Sequence, residues 1–128
     1  MTKLPTDLKI LDTIFEKYYE AFVTTPTEER SAFISIDVAE VSADLGVDPD
    51  IIFGRLYHYL DKKHSADDSR LFALKAGTKT NAVNFPMLSS ILADLRHHNR
   101  TENTSLVLSI VSIVISLLSF ITALYLRK

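Results

Sequence analysis

The sequence has no cysteine and no tryptophan, and only three of its 128 residues are glycine. Without cysteine the chain can form neither a disulfide nor a thiolate metal site. With so few glycines it has no glycine-rich loop that could bind phosphate groups. The first twelve residues, MTKLPTDLKILD, have no basic segment followed by an apolar run, so no signal peptide is predicted.

Residues 105–126, SLVLSIVSIVISLLSFITALYL, contain no charge, no proline and no glycine. A helix of this length spans about 33 Å, which is close to the hydrocarbon thickness of a bilayer. Tyr125 lies where interfacial aromatic residues are common, and the basic tail 127–128 can reach lipid headgroups. The sequence therefore predicts one transmembrane helix over 105–126, in contact with membrane lipid.

The orientation of this span is not decided by flanking charge. Arg96 and Arg100 precede the span, while Arg127 and Lys128 follow it, so the positive-inside rule gives no preference. Moving two terminal residues across a membrane is easier than moving a charged domain. We expect a single-pass, tail-anchored protein in an inner or plasma membrane, with its N-terminal domain in the cytoplasm.

Small residues recur within the predicted span at alternating spacings of four and three. Small side chains on one face let two helices approach closely, and hydroxyl groups can form hydrogen bonds across such a contact. This pattern predicts a homo-oligomer that associates through its transmembrane helix. The alternative is that serine is merely a tolerated small residue. The residues concerned are Ser109, Ser112, Ser116 and Ser119.

The predicted soluble domain covers residues 1–98, and a polar linker over 99–104 joins it to the span. Apolar periodicity and capping signals divide this domain into elements. They are an amphipathic helix (6–23), a short strand (32–36), two helices (37–46 and 49–64), a hairpin (69–85) around AGTKT, and a last helix (86–98).

Ser42, Gly46 and Ile52 occupy the positions where a helix-turn-helix motif requires a small residue, a glycine and an aliphatic residue. Leu56 follows at the spacing usual in winged members of that family. With the hairpin downstream, residues 6–86 resemble a winged helix-turn-helix domain. The expected fold class is therefore mainly α with a small β-hairpin wing (α+β), plus one transmembrane helix.

The resemblance implies that the second helix of the motif binds double-stranded DNA in the major groove. Arg55 would read bases, because its guanidinium can form two hydrogen bonds with guanine. The remaining contacts implied by the resemblance come from the same helix and from the tip of the wing. They are His58, Lys62, Lys63, Lys75 and Lys79.

The sequence departs from the usual DNA-binding pattern at the start of this helix. Asp48 and Asp50 would repel phosphate, and residues 1–104 carry twelve Lys and Arg against sixteen Asp and Glu. The alternative is a protein contact through Ile51, Phe53 and Tyr57.

Three functions stay open at this point. The first is a membrane-tethered, DNA-binding transcription regulator, and the second is a membrane-anchored protein-interaction adaptor. The third is a small membrane effector that oligomerises through its serine-striped helix. We expect no enzyme, because the chain has no nucleophile motif and no convincing carboxylate pair. No cofactor, metal site or small-molecule substrate is predicted either.

Overall fold

The computed structural model describes residues 2–128 and contains mainly helices with one small sheet. By internal contacts it divides into two units, the first ending at Asp94 and the second running from Leu95 to Lys128. The helical segments are α1 (Asp7–Thr24), α2 (Val38–Leu45), α3 (Pro49–Gly54), a π-helical segment (Arg55–Leu60), α4 (Asp61–His64) and α5 (Phe85–Leu126). The strands are β1 (Phe33–Ser35), β2 (Phe72–Ala76) and β3 (Lys79–Asn84). We call residues 49–64, from α3 to α4, the central helix.

The helix boundaries follow local capping chemistry. The Thr6 hydroxyl accepts a hydrogen bond from the Lys9 amide at 3.1 Å and thereby begins α1. The Asp37 carboxylate accepts from two amides at the start of α2, and Gly46 ends that helix with a φ of +70°. The Asp48 carboxylate caps the central helix, with Pro49 in its first turn. The caps predicted at Asp37, Gly46 and Asp48 are confirmed.

The three strands form one antiparallel sheet with the spatial order β1-β3-β2. Phe33 of β1 lies opposite Asn84, and Phe72 of β2 lies opposite Val83. Gly77 turns the chain between β2 and β3 with a φ of +65°, a conformation that suits glycine. The hairpin predicted over 69–85 is thus present, and its strands are shorter than that range.

The core of the first unit lies between the sheet and the helices. The central helix contributes Ile52, Leu56 and Leu60, which are almost completely buried. Ser42 is also buried, and its hydroxyl donates to the Ala39 carbonyl at 2.8 Å, so this polar group is satisfied inside the domain. The other large buried side chains are Ile10, Leu11, Ile14, Val41, Leu71, Phe72, Val83, Leu88 and Leu92.

The predicted last helix (86–98) and the predicted span lie in one helix, α5, which continues through residues 99–104, the predicted polar linker. This segment contains neither glycine nor proline, and the Thr101 and Thr104 hydroxyls donate to carbonyls one turn earlier. The helix is long and apolar enough to cross a membrane, with a mean hydropathy of 2.6 in its most apolar window. Residues 105–126 are all exposed. This is compatible with a C-terminal membrane anchor and indicates membrane association.

Candidate functional site on the central helix

The side chains of the central helix form four rows, because the wider turn of the π-helical segment brings residues four apart closer into line. The core row contains Ile52, Leu56 and Leu60. The remaining three rows face the sheet, the N-terminal arm (residues 2–6) and solvent. The predicted contact residues are divided among these three rows.

The sheet row contains Phe53, Tyr57 and Asp61. The Phe53 ring stacks on Tyr57 at 5.6 Å between centroids and meets Phe72 of β2 edge-on at 5.9 Å. The buried Asp61 carboxylate accepts from the Phe72 amide at 3.0 Å and from the Ser65 hydroxyl at 2.7 Å. Two of the three residues predicted for a protein contact, Phe53 and Tyr57, are therefore half-buried against β2.

The arm row contains Arg55, Tyr59 and Lys63, of which Arg55 and Lys63 contact the beginning of the chain. The Arg55 guanidinium donates to the Pro5 carbonyl at 3.0 Å and forms an ion pair with Asp7. The Lys63 ammonium lies 3.4 Å from the same Asp7 carboxylate. Arg55 and Asp7 are 27% and 18% exposed in their side chains, so this pair is partly shielded from water.

Tyr59 joins the two cations of the arm row. Its ring centroid lies 5.6 Å from the Arg55 guanidinium and 5.4 Å from the Lys63 ammonium, within the range of a cation–π contact. The pKa of Lys63 is raised, because its ammonium donates to the Tyr59 hydroxyl and to the Asp7 carboxylate. Two predicted DNA contacts, Arg55 and Lys63, are thus bound within the domain.

The solvent row contains Asp50, Gly54, His58 and Lys62 and lies opposite the core row. Asp50, His58 and Lys62 are exposed, and Gly54 is half-buried. The row is acidic where the helix begins and basic where it ends. Ile51 lies beside it, with 43% of its surface exposed.

The two predicted wing contacts have different surroundings. The Lys79 ammonium donates to the Phe33 carbonyl at 2.6 Å, which ties β3 to β1. Lys75 is exposed on β2. The structure therefore leaves the side chains of His58, Lys62 and Lys75, three of the predicted DNA contacts, exposed to solvent.

His64, at the end of the central helix, is partly buried beside the arm row. Burial lowers its pKa, and the neighbouring Lys63 charge lowers it further. Within residues 2–128, its Nε2 atom has no hydrogen-bond partner. The imidazole is therefore more weakly basic than that of a histidine in water.

The serine hydroxyls of the predicted span are used inside the helix. Ser112, Ser116 and Ser119 each donate to a carbonyl four residues earlier, at 3.0 Å. Such bonds satisfy the hydroxyl group in a lipid environment. Ser109 and these three residues are exposed, as is the rest of the segment.

Sequence reasoning missed Asp7 as the partner of Arg55, because 48 residues separate them and no local pattern links them. The described part of the chain contains no group of three or more His, Cys, Asp or Glu side chains that could hold a metal ion. In comparisons with protein-family models, curated proteins and solved structures, nothing matches this chain.

Proposed function

We propose that the first unit is a winged helix-turn-helix domain and that α5 anchors it in a membrane. The order helix, strand, helix, helix and two further strands supports this fold, as does the strand order β1-β3-β2. The burial of Ser42, Ile52 and Leu56 and the left-handed turn at Gly46 also agree with the motif. The α5 segment 105–126 supports the anchor by its length and composition.

We infer that this domain is a protein-interaction module. The observation that carries the inference is the binding of Arg55 and Lys63 to Asp7 within the domain. A guanine base or a phosphate would have to displace the Asp7 carboxylate, and for Arg55 also the Pro5 carbonyl. Asp7 moreover neutralises part of the positive charge that DNA would need.

The exposed surface of the central helix supports the same inference. Its solvent row starts with Asp50, and Asp48 precedes it at the cap, so two carboxylates lie where a reading helix would approach phosphate. The exposed Ile51 side chain offers apolar surface beside them. An exposed aliphatic side chain bordered by charged residues fits the apolar centre and polar rim of a protein contact.

DNA binding is the second candidate, and the exposed cations favour it. Lys62 ends the solvent row and Lys75 lies on the wing, so both can reach a phosphate backbone without rearrangement. In this alternative the protein is a membrane-tethered transcription regulator. Asp7 would then have to release Arg55 before any base could be read.

The test is a titration of the full chain in neutral detergent micelles with mixed-sequence duplex DNA. It would be carried out at about 50 mM and about 200 mM salt, a range over which phosphate-dependent binding falls by orders of magnitude. We expect no salt-dependent binding. Binding that weakens steeply with salt and is lost in Lys62→Ala with Lys75→Ala would overturn the interaction module in favour of the regulator.

The Asp7→Asn variant sharpens this test. If Asp7 only holds the domain together, the variant stays unable to bind DNA. If Asp7 blocks a DNA-reading arginine, the variant gains affinity, and that gain is lost again when Arg55→Ala is added. Glu28→Gln, in the exposed loop after α1, is the matched control for removal of one negative charge.

We also propose that the protein spans an inner or plasma membrane once, with the domain in the cytoplasm. Single cysteines introduced into the exposed loop at Glu28 and into the tail at Lys128 would report this orientation in intact cells. A membrane-impermeant thiol reagent should label only the tail cysteine. The chain has no native cysteine to interfere with this measurement.

A further inference from the structure

The solvent row combines three properties that its place in the domain does not explain. It has an exposed acid at one end, Asp50, and an exposed base at the other, Lys62. Its middle has no bulky side chain at Gly54, and His58 follows one turn later. This row is the surface on which the proposed protein interaction would take place, so the inference below rests on that proposed function.

Gly54 has no role in the packing of the domain. Its φ of −60° and ψ of −41° are ordinary helical values, which alanine adopts without strain. A Cβ atom added here would have no heavy atom within 4 Å, so no neighbour requires its absence. Glycine nevertheless weakens a helix relative to alanine. A bare backbone on an exposed helix face allows another backbone to approach closely.

The charges of the solvent row would be complementary to those of a second copy of the row that runs in the opposite direction. Asp50 and Lys62 lie about 18 Å apart along the helix at 1.5 Å per residue, on either side of Gly54 and His58. In two antiparallel copies of the central helix, each Asp50 faces the Lys62 of the other copy. A two-fold axis between Gly54 and His58 generates both ion pairs at once, as an isologous contact requires.

We propose that the occupant of this row is a second copy of the same chain, packed antiparallel so that each Gly54 lies opposite the His58 of the other copy. A uniformly charged polyanion such as DNA would be attracted at Lys62 and repelled at Asp50, whereas a second copy satisfies both ends. Membrane anchoring favours the same contact, because two chains held in one membrane meet at a raised effective concentration.

The experiment uses charge reversal in the full chain reconstituted in lipid bilayers. His58→Cys serves as the reporter, since a cysteine near the two-fold axis can be joined to its symmetry mate by a short thiol crosslinker. Asp50→Lys creates two repulsive lysine pairs across the contact, and Lys62→Asp creates two repulsive aspartate pairs. Each variant alone should crosslink about tenfold less, a change that corresponds to about 1.4 kcal/mol.

Mixing the two variants is the decisive step. In a mixed pair, both lysines of the Asp50→Lys chain face both aspartates of the Lys62→Asp chain, so each contact is attractive again. We expect the mixed dimer, distinguished by a tag on one chain, to return to the level of the unreversed chain. Glu28→Lys, a reversal in an exposed loop, should have no effect on crosslinking.

Gly54→Ala gives an independent measurement. The variant should raise the Tm of the domain, because alanine stabilises the helix, and it should lower crosslinking, because the added methyl group separates the two backbones. If Tm rises and crosslinking is unchanged, close approach at Gly54 is overturned.

Unchanged crosslinking in both reversed variants, or no recovery in the mixture, would overturn the antiparallel self-contact. That result leaves the interaction module intact as long as the DNA titration is negative. Salt-dependent DNA binding that strengthens in Asp50→Lys and weakens in Lys62→Asp would instead overturn the proposed function itself.

Discussion

Asp7 is the residue that determines what the central helix can offer to a partner. Its carboxylate binds Arg55 and Lys63, and the Pro5 carbonyl next to it accepts a further bond from Arg55. Arginine suits this position because its planar guanidinium can donate to a carboxylate and a carbonyl at the same time. The same contacts hold the N-terminal arm against the central helix.

Removing the charge of Asp7 should destabilise the domain. Asp7→Asn loses an ion pair that is partly shielded from water and an acid in the first turn of α1, so we expect the free energy of unfolding to fall by about 1 kcal/mol. Urea unfolding of the full chain in detergent, followed by circular dichroism, measures the change. Glu28→Gln should leave the midpoint where it is, and an equal midpoint for Asp7→Asn would show that the pair contributes nothing.

His64 should make the stability of the domain depend on pH. The pKa of His64 is lowered in the folded state by burial and by Lys63, whereas an unfolded chain has a value of about 6.5. The unfolded state therefore binds the proton more tightly. The contribution of neutral His64 is present above pH 6.5 and is lost as pH falls towards the folded pKa.

The measurement compares the unfolding free energy of His64→Gln with that of the original chain across this range. Because carboxylates titrate in both proteins, the difference between them isolates the histidine. We expect the original chain to lose more stability than His64→Gln between about pH 7 and about pH 5. Parallel curves would contradict the assignment of this pH dependence to His64.

At the scale of the element, α5 has a stripe of serine residues along its apolar segment 105–126. Ser112, Ser116 and Ser119 satisfy their hydroxyls on carbonyls within the same helix. Association along this face would then depend on the small size of the side chains and not on hydrogen bonds between helices. Close packing of small residues is one of the established forces between transmembrane helices.

Enlarging the stripe should weaken association without affecting insertion. Ser112→Leu with Ser116→Leu adds bulk on the stripe and makes the segment more apolar, so the span still inserts while two helices are held further apart. A membrane two-hybrid assay should show a reduced signal. Val107→Leu with Val114→Leu adds bulk away from the stripe and should give the original signal. An unchanged signal in the serine variant would exclude the stripe from association.

In the central helix, one irregular segment changes the direction in which side chains point. The π-helical segment Arg55–Leu60 brings residues four apart into line, so Arg55 and Lys63 both reach Asp7, with the Tyr59 ring between them. In the same way Phe53 and Tyr57 turn towards β2 together. Fewer apolar and basic side chains of the central helix are therefore open to solvent than its sequence suggests, because Phe53, Tyr57 and Arg55 are half-buried.

At the scale of the whole molecule, the apolar segment 105–126 and the folded first unit have separate physical requirements. The first unit has its own buried core, whereas residues 105–126 are exposed, uncharged and mostly apolar. Exposed apolar surface of this length is unfavourable in water and favourable in a bilayer. The composition of this segment therefore favours membrane association.

One charge in the middle of the span should prevent stable insertion. Ile115→Arg adds about 3 kcal/mol to the free energy of insertion at the helix centre. We expect the fraction of the chain that resists alkaline extraction from membranes to fall markedly. Ile115→Leu is the matched control and should behave like the original chain. Extraction resistance that is unchanged by the arginine would mean that the segment is held by something other than the bilayer core.

The sequence by itself determined the features that depend on neighbouring residues. The caps at Asp37, Gly46 and Asp48 follow from local hydrogen bonding and backbone conformation, and the exposed apolar segment 105–126 follows from composition alone. The order of helices and strands and the buried positions of the central helix were also predictable, because hydrophobic periodicity encodes which face of an element is buried.

Only the tertiary structure decided which cations and aromatic residues are exposed and which have partners within the domain. Arg55 meets Asp7 across 48 residues, Lys79 meets Phe33 across 46, and Phe53 packs on Phe72. Local periodicity carries no record of such partners, because side chains distant along the chain are brought together by the packing of the whole unit. Helicity through 99–104 was likewise not signalled by polar composition, since hydrogen bonds one turn apart sustain a helix whether its side chains are polar or apolar.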